Sequence, residues 1–556
     1  MIKKYLNSNF DIVVNNYLKM KRYNAISNLH CNIVVPPKII NCDFSVNIIM
    51  TLATKLKISA ENVSQDLFIM ILKDKNLSEI IEKVQLVKPY FYINFNIKDT
   101  FLHKQIIQIM AKQNDYTILP RNKRGKVILE FISANPTGPL HIGHGRGAAI
   151  GESLSRILKY LGYNVIKEYY LNDMGNQISI LVESVKLRYR QLKGETISFP
   201  DDYYKGDYII NLAKGLLRKE NNISKINIKL ETMNYILQSI KQDISNLEIH
   251  FDSWFFESSL THGSNSQIKQ IIKYLTKKGY VYINNNATWL TTTKFGDDKD
   301  RVLLRSDGSY TYFALDVAYH MNKLQRGFNK IINIWGADHY GYVNRIKSAM
   351  QMFCVNKNVI RIVLYQLVSI IKNKHIITMS TRKGEFIPLK DIIKTVGPNV
   401  CKFFFLLRDP KSQLEFNLQL AQSNLNSNPL FYIQYAYARC NSIIVASQNI
   451  SIIQQNLEMI NLNLLNTKIE RTLMKHLVMF DDTLTICAIN MSPHYLTMYL
   501  IKLADIYHKF YETCSIIKNV NSNLALTEAR LTLVKCVMLI IRNGLNLLGI
   551  SVMKNM

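Results

Sequence analysis

Val127 to Phe131 (VILEF) is a short apolar run of buried-strand character, interrupted only by Glu130. It opens into a loop of turn formers, Ser133-Ala134-Asn135-Pro136-Thr137-Gly138-Pro139-Leu140, followed by His141-Ile142-Gly143-His144. Beyond these, Ile150, Leu154, Ile157, Leu158 and Leu161 fall at helical spacing and predict a helix beginning near Gly145. Strand, glycine-bearing loop and helix form one βα unit. From about 125 to 400, further short β-branched runs alternate with helical patterns, so an α/β domain around a parallel sheet is expected. The loop-to-helix junction suits anions, because free N–H groups and the helix dipole point at them. His141 and His144 add side-chain donors there, and Gly143 lets a ligand approach the backbone.

Two other regions flank this domain. Residues 1–115 read as a separate α+β unit. Within it, Phe91, Ile93, Phe95 and Ile97 alternate with Tyr92, Asn94, Asn96 and Lys98, as in a half-buried strand. The polar segment from Gln113 to Arg124 reads as a linker. Residues from about 195 to 265 are polar and rich in Asn and Lys, and read as an insertion between two halves of the sheet. Beyond about 425 the strand signals stop. Helical patterns cover 430–448, 467–490 and 526–548, and Ser492-Pro493 opens another as N-cap and first-turn proline. The expected divisions are 1–115, 120–425 and 426–556.

Composition narrows the function classes. The formal net charge of +28 suggests a polyanionic partner such as nucleic acid, although AT-rich codon usage, visible in the abundant Lys, Asn, Ile and Tyr, accounts for part of it. The eight cysteines include no CxxC pair, which argues against structural zinc and a disulfide framework and fits a reducing cytoplasm. No apolar run is long and charge-free enough to span a bilayer, and the N-terminus lacks the apolar stretch of a secretory signal.

Several other stretches follow in order: Tyr170-Leu171-Asn172-Asp173-Met174-Gly175-Asn176-Gln177; Leu304 to Phe313 with Asp316; Trp335-Gly336-Ala337-Asp338-His339-Tyr340-Gly341-Tyr342; Met379 to Gly384; Asn428-Pro429 with Tyr432 to Arg439; and Arg542 to Gly549. Together with Ser133 to Arg146 they resemble the arginyl-tRNA synthetases, within class I of the aminoacyl-tRNA synthetases, over nearly the whole chain. The resemblance implies a Rossmann-type catalytic domain, an N-terminal domain that binds the tRNA corner and an all-α anticodon-binding bundle. It implies attachment of L-arginine to tRNA(Arg) through an arginyl-adenylate, with AMP and pyrophosphate as products. ATP enters with Mg²⁺, no protein-bound zinc is expected, and the enzyme is expected to be a cytoplasmic monomer.

Residue by residue, the resemblance gives ATP to Pro136, Gly138, His141, Gly143, His144, Gly336, Asp338, Met379 and Ser380, with His141, His144, Arg382 and Lys383 in catalytic roles. It gives arginine to Glu130, Ser133, Asn135, Tyr312, Asp316, Asp338 and His339, with Glu130 and Asp316 on the guanidinium and Asn135 on the backbone end. It gives tRNA to Asn94, Tyr435 and Arg439. The chemistry agrees with these residue types. A guanidinium is a planar fork of fixed donors that is always charged, and carboxylates are its natural acceptors. A pocket built for it leaves acceptors unpaired when lysine enters, so discrimination of about 10⁴-fold needs no editing domain. The chain departs from the family pattern in the second class signature and at Leu315. Thr378-Met379-Ser380-Thr381-Arg382 lacks both expected lysines, Leu315 stands where arginine is common, and Lys383-Gly384-Glu385 replaces Ala-Gly-Asn. Two other readings share part of the site. A smaller nucleotidyltransferase would have no use for the flanking units, and an RNA-binding relative without activity would be expected to have lost the intact His141, Gly143 and His144.

Overall fold

Val127, Ile128 and Leu129 are each at most 1% exposed, and alternation sends them to two cores. Val127 and Leu129 join one hydrophobic cluster, while Ile128 joins another with Leu260, Ile268 and Phe313. A strand covered on both faces reads as a continuous apolar run, and such strands belong to parallel sheets with helices on either side.

In the computed structural model this strand, β1 (Lys126–Glu130), is central to a five-stranded parallel sheet. It is joined by β2 (Asn164–Leu171), β3 (Ser253–Phe256), β4 (Lys330–Gly336) and β5 (Ile360–Tyr365), in the order β5-β4-β1-β2-β3. The structure describes all residues except 1, 24–25, 27–30, 32, 38–39, 41, 113–123, 220–226, 264–265, 357, 373–374, 378–386, 450–456, 518–521 and 554–556. The chain winds one way from β1 to β3 and the other way from β4 to β5. The direction reverses between β1 and β4, and the crevice beyond their carboxyl ends is where open α/β sheets hold ligands. Glu130 ends β1 and Gly336 ends β4. Three helices frame the crevice: α1 (Ile142–Tyr160), α2 (Ile228–Asn246) and α3 (Tyr312–Gln325).

The segment 195–265 differs from its sequence reading at its end. After the helices Asp207–Lys219 and Ile228–Asn246 it supplies β3, the edge strand of the sheet. Trp254, Phe255 and Phe256 are aromatic rather than β-branched, and a four-residue edge strand carries little periodic signal.

The N-terminal region forms a four-stranded antiparallel sheet in the order Ile33–Val34, Phe44–Val46, Tyr92–Ile97, Ile81–Val87. Ile93, Phe95 and Ile97 are fully buried, as the alternation predicts. Asn94 is buried too, at 5% exposure. Phe91 lies in the preceding turn at φ 52°, so the alternation starts only at Tyr92. The last described elements are helices: Pro429–Asn449, Lys468–Val478, Phe480–Asn490, His494–Thr513 and Leu524–Leu547. Ser492 does not act as an N-cap; its hydroxyl turns to Asp409 and His494. The N-terminal unit is tied to this bundle by Arg471, which donates to Asp43, Asp99 and the Ile97 carbonyl, and by Lys475, 2.6 Å from Asp43.

Candidate active site

The loop after β1 is pinned from several sides. Ile132 and Ser133 adopt φ of 66° and 39°, left-handed values that β-branched and other non-glycine residues resist. Hydrogen bonds to neighbouring elements hold them there. The Tyr170 N–H donates to Ser133 Oγ, Tyr169 Oη bonds both the N–H and the carbonyl of Ala134, and Tyr208 Oη donates to the Thr137 carbonyl. The Leu140 N–H reaches Asp243 on α2, whose carboxyl burial pushes up to about 6. Pro136 is buried, Gly138 packs against the Tyr208 ring, and Asn135 stands exposed at the mouth.

Helix α1 starts earlier than its apolar spacing suggests, because its first turns, Gly145 to Ala149, are buried on all sides and show no periodicity. His141 is the N-cap. Its Nδ1 accepts from the Gly143 N–H at 3.1 Å, while His144 Nδ1 accepts from the His141 N–H at 3.3 Å. The pair forms a capping box of two imidazoles with rings stacked 3.7 Å apart. A Cβ on Gly143 would lie 3.0 Å from the His141 ring, so the missing side chain accommodates the stacked histidine rather than leaving open space for a ligand. Burial lowers the affinity of both rings for a proton: for His141 this is partly offset by nearby Asp338, for His144 it is deepened by His141. Both are therefore neutral near pH 7. With each Nδ1 accepting, each ring carries its proton on Nε2, a donor beside a helix N-terminus.

Across the reversal point, Gly336 leads into the turn Ala337–His339. A Cβ on Gly336 would sit 2.3 Å from Asp338 Oδ1, so only glycine lets Asp338 fold back there. Asp338 and His339 are largely exposed, 3.5 Å from one another.

Below them lies a cluster of carboxyl groups. Glu130 is buried beside the fully buried Lys323 of α3, whose Nζ donates to Oε2 at 2.6 Å and to Asn333 Oδ1 at 3.0 Å. Glu130 Oε1 accepts no hydrogen bond from a described residue. Asp316 is one turn along α3 from the half-exposed Tyr312, and its carboxyl bonds no described residue either. Burial, then repulsion from Glu130 and Glu257, pushes it up to about 8, against the pull of Lys323. Glu257, 3% exposed, follows β3 and accepts from Tyr170 Oη at 2.6 Å. His320 completes the framework: Nδ1 lies 2.7 Å from the Asp316 carbonyl and Nε2 2.7 Å from Asn333 Nδ2. Burial, with Lys323 adding, lowers it to about 3.

Glu130 and Asp316 thus meet, with Ser133 close by on the pinned loop. Sequence reasoning missed Glu257, Lys323, His320 and Asn333. The one signal for Glu257 was an acidic residue directly after an aromatic run, in a segment read as insertion. Glu168, in register with Glu130 on β2, shows the contrast: Arg326, Tyr319 and Ser253 occupy both its oxygens. Met379, Ser380, Arg382 and Lys383 lie outside the described residues.

The RNA candidates lie on other elements, Asn94 in the N-terminal sheet and Tyr435 and Arg439 on the helix Pro429–Asn449. Arg439 donates to Tyr435 Oη at 2.8 Å and stacks over the rings of Tyr435 and Tyr511. Asn94 lies between Ser45 and Gln85 in its sheet, with Oδ1 buried and lacking a hydrogen-bond partner among the described residues.

Comparison with known proteins adds three family matches: "Arginyl tRNA synthetase N terminal domain" over residues 10–97, "tRNA synthetases class I (R), catalytic domain" over 105–397, and "DALR anticodon binding domain" over 433–556. The arginine–tRNA ligase of Lawsonia intracellularis is 40% identical over 531 residues, 94% of this chain and 95% of that protein. That of Citrifermentans bemidjiense is 39% identical over 538 residues, with the same coverage. The Thermus thermophilus arginyl-tRNA synthetase structure has the same fold, with a TM-score of 0.78 over 100% of both chains at 20% identity.

Proposed function

This chain belongs to the arginyl-tRNA synthetase family and joins L-arginine to tRNA(Arg) with ATP; we propose that the crevice at the β1–β4 reversal is where it does so. One observation carries this assignment. Glu130 Oε1 and the Asp316 carboxyl, acceptors unclaimed by any described residue, lie close enough to each other and to Glu257 for their charges to repel, and Glu130 ends the strand that leads into the loop bearing His141 and His144. A guanidinium supplies the donors and the charge that this cluster lacks. Tyr312, Ser133, Asn135, Asp338 and His339 complete the arginine site around its rim.

The arginine carboxylate attacks the α-phosphorus of ATP and pyrophosphate departs. A ribose hydroxyl at the tRNA end then attacks the activated carbonyl and releases AMP. Protein side chains form no covalent bond; they position the groups and stabilise charge. The His141 and His144 Nε2–H groups and the dipole of α1 suit the phosphates, with Pro136, Gly138 and Gly336 on the adjoining loop and turn as further nucleotide candidates, while the Gly143 N–H is taken by His141. Mg²⁺ would arrive bound to ATP and supply further charge neutralisation. Residues 1–115 would touch the tRNA corner, with Asn94 as a candidate contact, and 426–556 the anticodon arm through Tyr435 and Arg439. We propose a cytoplasmic monomer; among the described residues no helix is long and apolar enough to cross a membrane.

The test is charging of total tRNA by the purified chain. Incorporation should require ATP and arginine, with lysine inactive. Pyrophosphate exchange should be negligible until tRNA is added, as in the family generally. Absence of arginine-dependent charging would overturn the assignment.

A further inference from the structure

A second concavity lies at the opposite edge of the sheet. Arg124, Tyr163, Lys330 and Ile360 stand at or just before the amino ends of β1, β2, β4 and β5, and the helix Phe480–Asn490 closes the space from the bundle side. The cleft measures about 570 Å³, within the range of small-molecule sites. The seven residues of β4 separate it from the catalytic crevice by roughly 20 Å.

Its lining divides into two chemistries. Leu158, Ile360, Ile362, Ala488 and Met491 make an apolar floor. Around it stand Arg124, Lys330, Lys347 and Arg361, with no Asp or Glu among the described lining residues. Arg124 and Lys330 both approach the Tyr163 ring, at 5.8 and 5.7 Å from its centroid. Arg361 is fixed by donating to the Ile489 carbonyl, a neutral partner. A basic chain carries many solvated cations, but these four converge on one hollow without a carboxylate partner among the described residues. Concentrated like charge in a concave site raises the local potential for an anion. An aromatic face and apolar floor beside it suit a flat heterocycle.

We propose that this cleft is a second nucleotide site, which binds a free nucleoside phosphate with its base against Tyr163 and its phosphate among Arg124, Lys330, Lys347 and Arg361. Its volume matches one nucleotide rather than a strand.

The probe is radiolabelled AMP, added to the full-length enzyme with and without a saturating unreactive arginyl-adenylate analogue that blocks the catalytic crevice. Equilibrium dialysis should give two AMP per chain without the analogue and one with it. Photocrosslinking with 8-azido-AMP on the blocked enzyme should label peptides containing Tyr163 or Ile489. Arg124→Glu and Lys347→Glu alter exposed side chains and should each weaken the remaining site roughly tenfold or more, leaving the KM for ATP and arginine unchanged. Loss of all AMP binding under the analogue would overturn the proposal, as would unchanged affinity in both variants. Protection of Tyr163 by tRNA, with no AMP bound to the blocked enzyme, would assign the cations to the RNA backbone and overturn it equally.

Discussion

Lys323 Nζ and Glu130 Oε2 lie 2.6 Å apart with both side chains out of water, so a buried amine stands behind the carboxylate proposed to hold the arginine guanidinium. Its effect is to hold Glu130 turned, with Oε2 engaged and Oε1 bonded by no described residue. Lys323→Met would strip Glu130 of its partner. Losing one member of a buried pair costs about 3–5 kcal/mol, because the remaining charge is uncompensated. Thermal unfolding should show the loss, and saturating arginine should recover part of it by placing a guanidinium beside Glu130. A variant as stable as the parent, or one indifferent to arginine, would contradict this role.

The three carboxyl groups of the proposed pocket should divide arginine from ATP. Glu130→Gln, Asp316→Asn and Glu257→Gln should each weaken arginine use by about 1.5–3 kcal/mol, the worth of one charge-assisted contact. The KM for ATP should hardly move. Steady-state kinetics on the three variants would show it, and parent-like kcat/KM for arginine in all three would refute the site.

Asp316 predicts a pH dependence. Its folded value, about 8, lies above that of an ordinary carboxyl, so the folded free enzyme holds a proton that the unfolded chain releases. Stability of the free enzyme should therefore fall as pH rises from about 4 towards 8. Arginine favours the ionised form, so its binding near pH 7 should expel a proton, and its affinity should rise between pH 6 and 8. Glu130, Glu257 and Lys323 are the charged groups acting on Asp316, and Tyr342 also senses it. Calorimetry in buffers of different ionisation enthalpy measures the proton count, which Asp316→Asn should abolish.

His141 and His144 should titrate below the ordinary imidazole range, since burial disfavours the charged form of both. His144→Ala removes one half of the capping box and one phosphate donor. We expect a loss of about 0.5–2 kcal/mol of stability from the cap and about 10²–10³ in kcat. A kcat within threefold of the parent would exclude His144 from the phosphates.

In the class's second signature, which residues 378–386 match, a lysine is expected on the leaving pyrophosphate, yet Thr381 occupies its position. Arg382 is the first candidate, then Lys383, with Lys372 and Lys374 behind. Arg382→Ala should lower kcat for charging while the KM for arginine stays put, as for a contact made mainly in the transition state. Single-turnover adenylate formation with tRNA present, run on alanine variants of all four, checks it; four parent-like rates would place the compensation elsewhere.

Sequence alone determined the parallel sheet's central strand and the helical bundle, but not β3, which lies in the segment read as an insertion. The parallel sheet was legible because a strand buried on both faces must be apolar throughout, as Val127 to Leu129 are, and the bundle because its helices carry the 3.6-residue period. The strand, loop and helix N-terminus that carry His141 and His144 were legible because they are contiguous in the chain. What the tertiary structure decided was which charges meet. Glu130 and Glu168 are both glutamates in strands of the sheet; only packing shows that Arg326, Tyr319 and Ser253 occupy the oxygens of one, while among the described residues Lys323 alone bonds the other, through Oε2. Glu257 and Lys323, 127 and 193 positions from Glu130 in sequence, join it because β3 and α3 fold against the same crevice. No local pattern encodes such a meeting, since periodicity reports which face of an element is buried but not which distant side chain is buried against it.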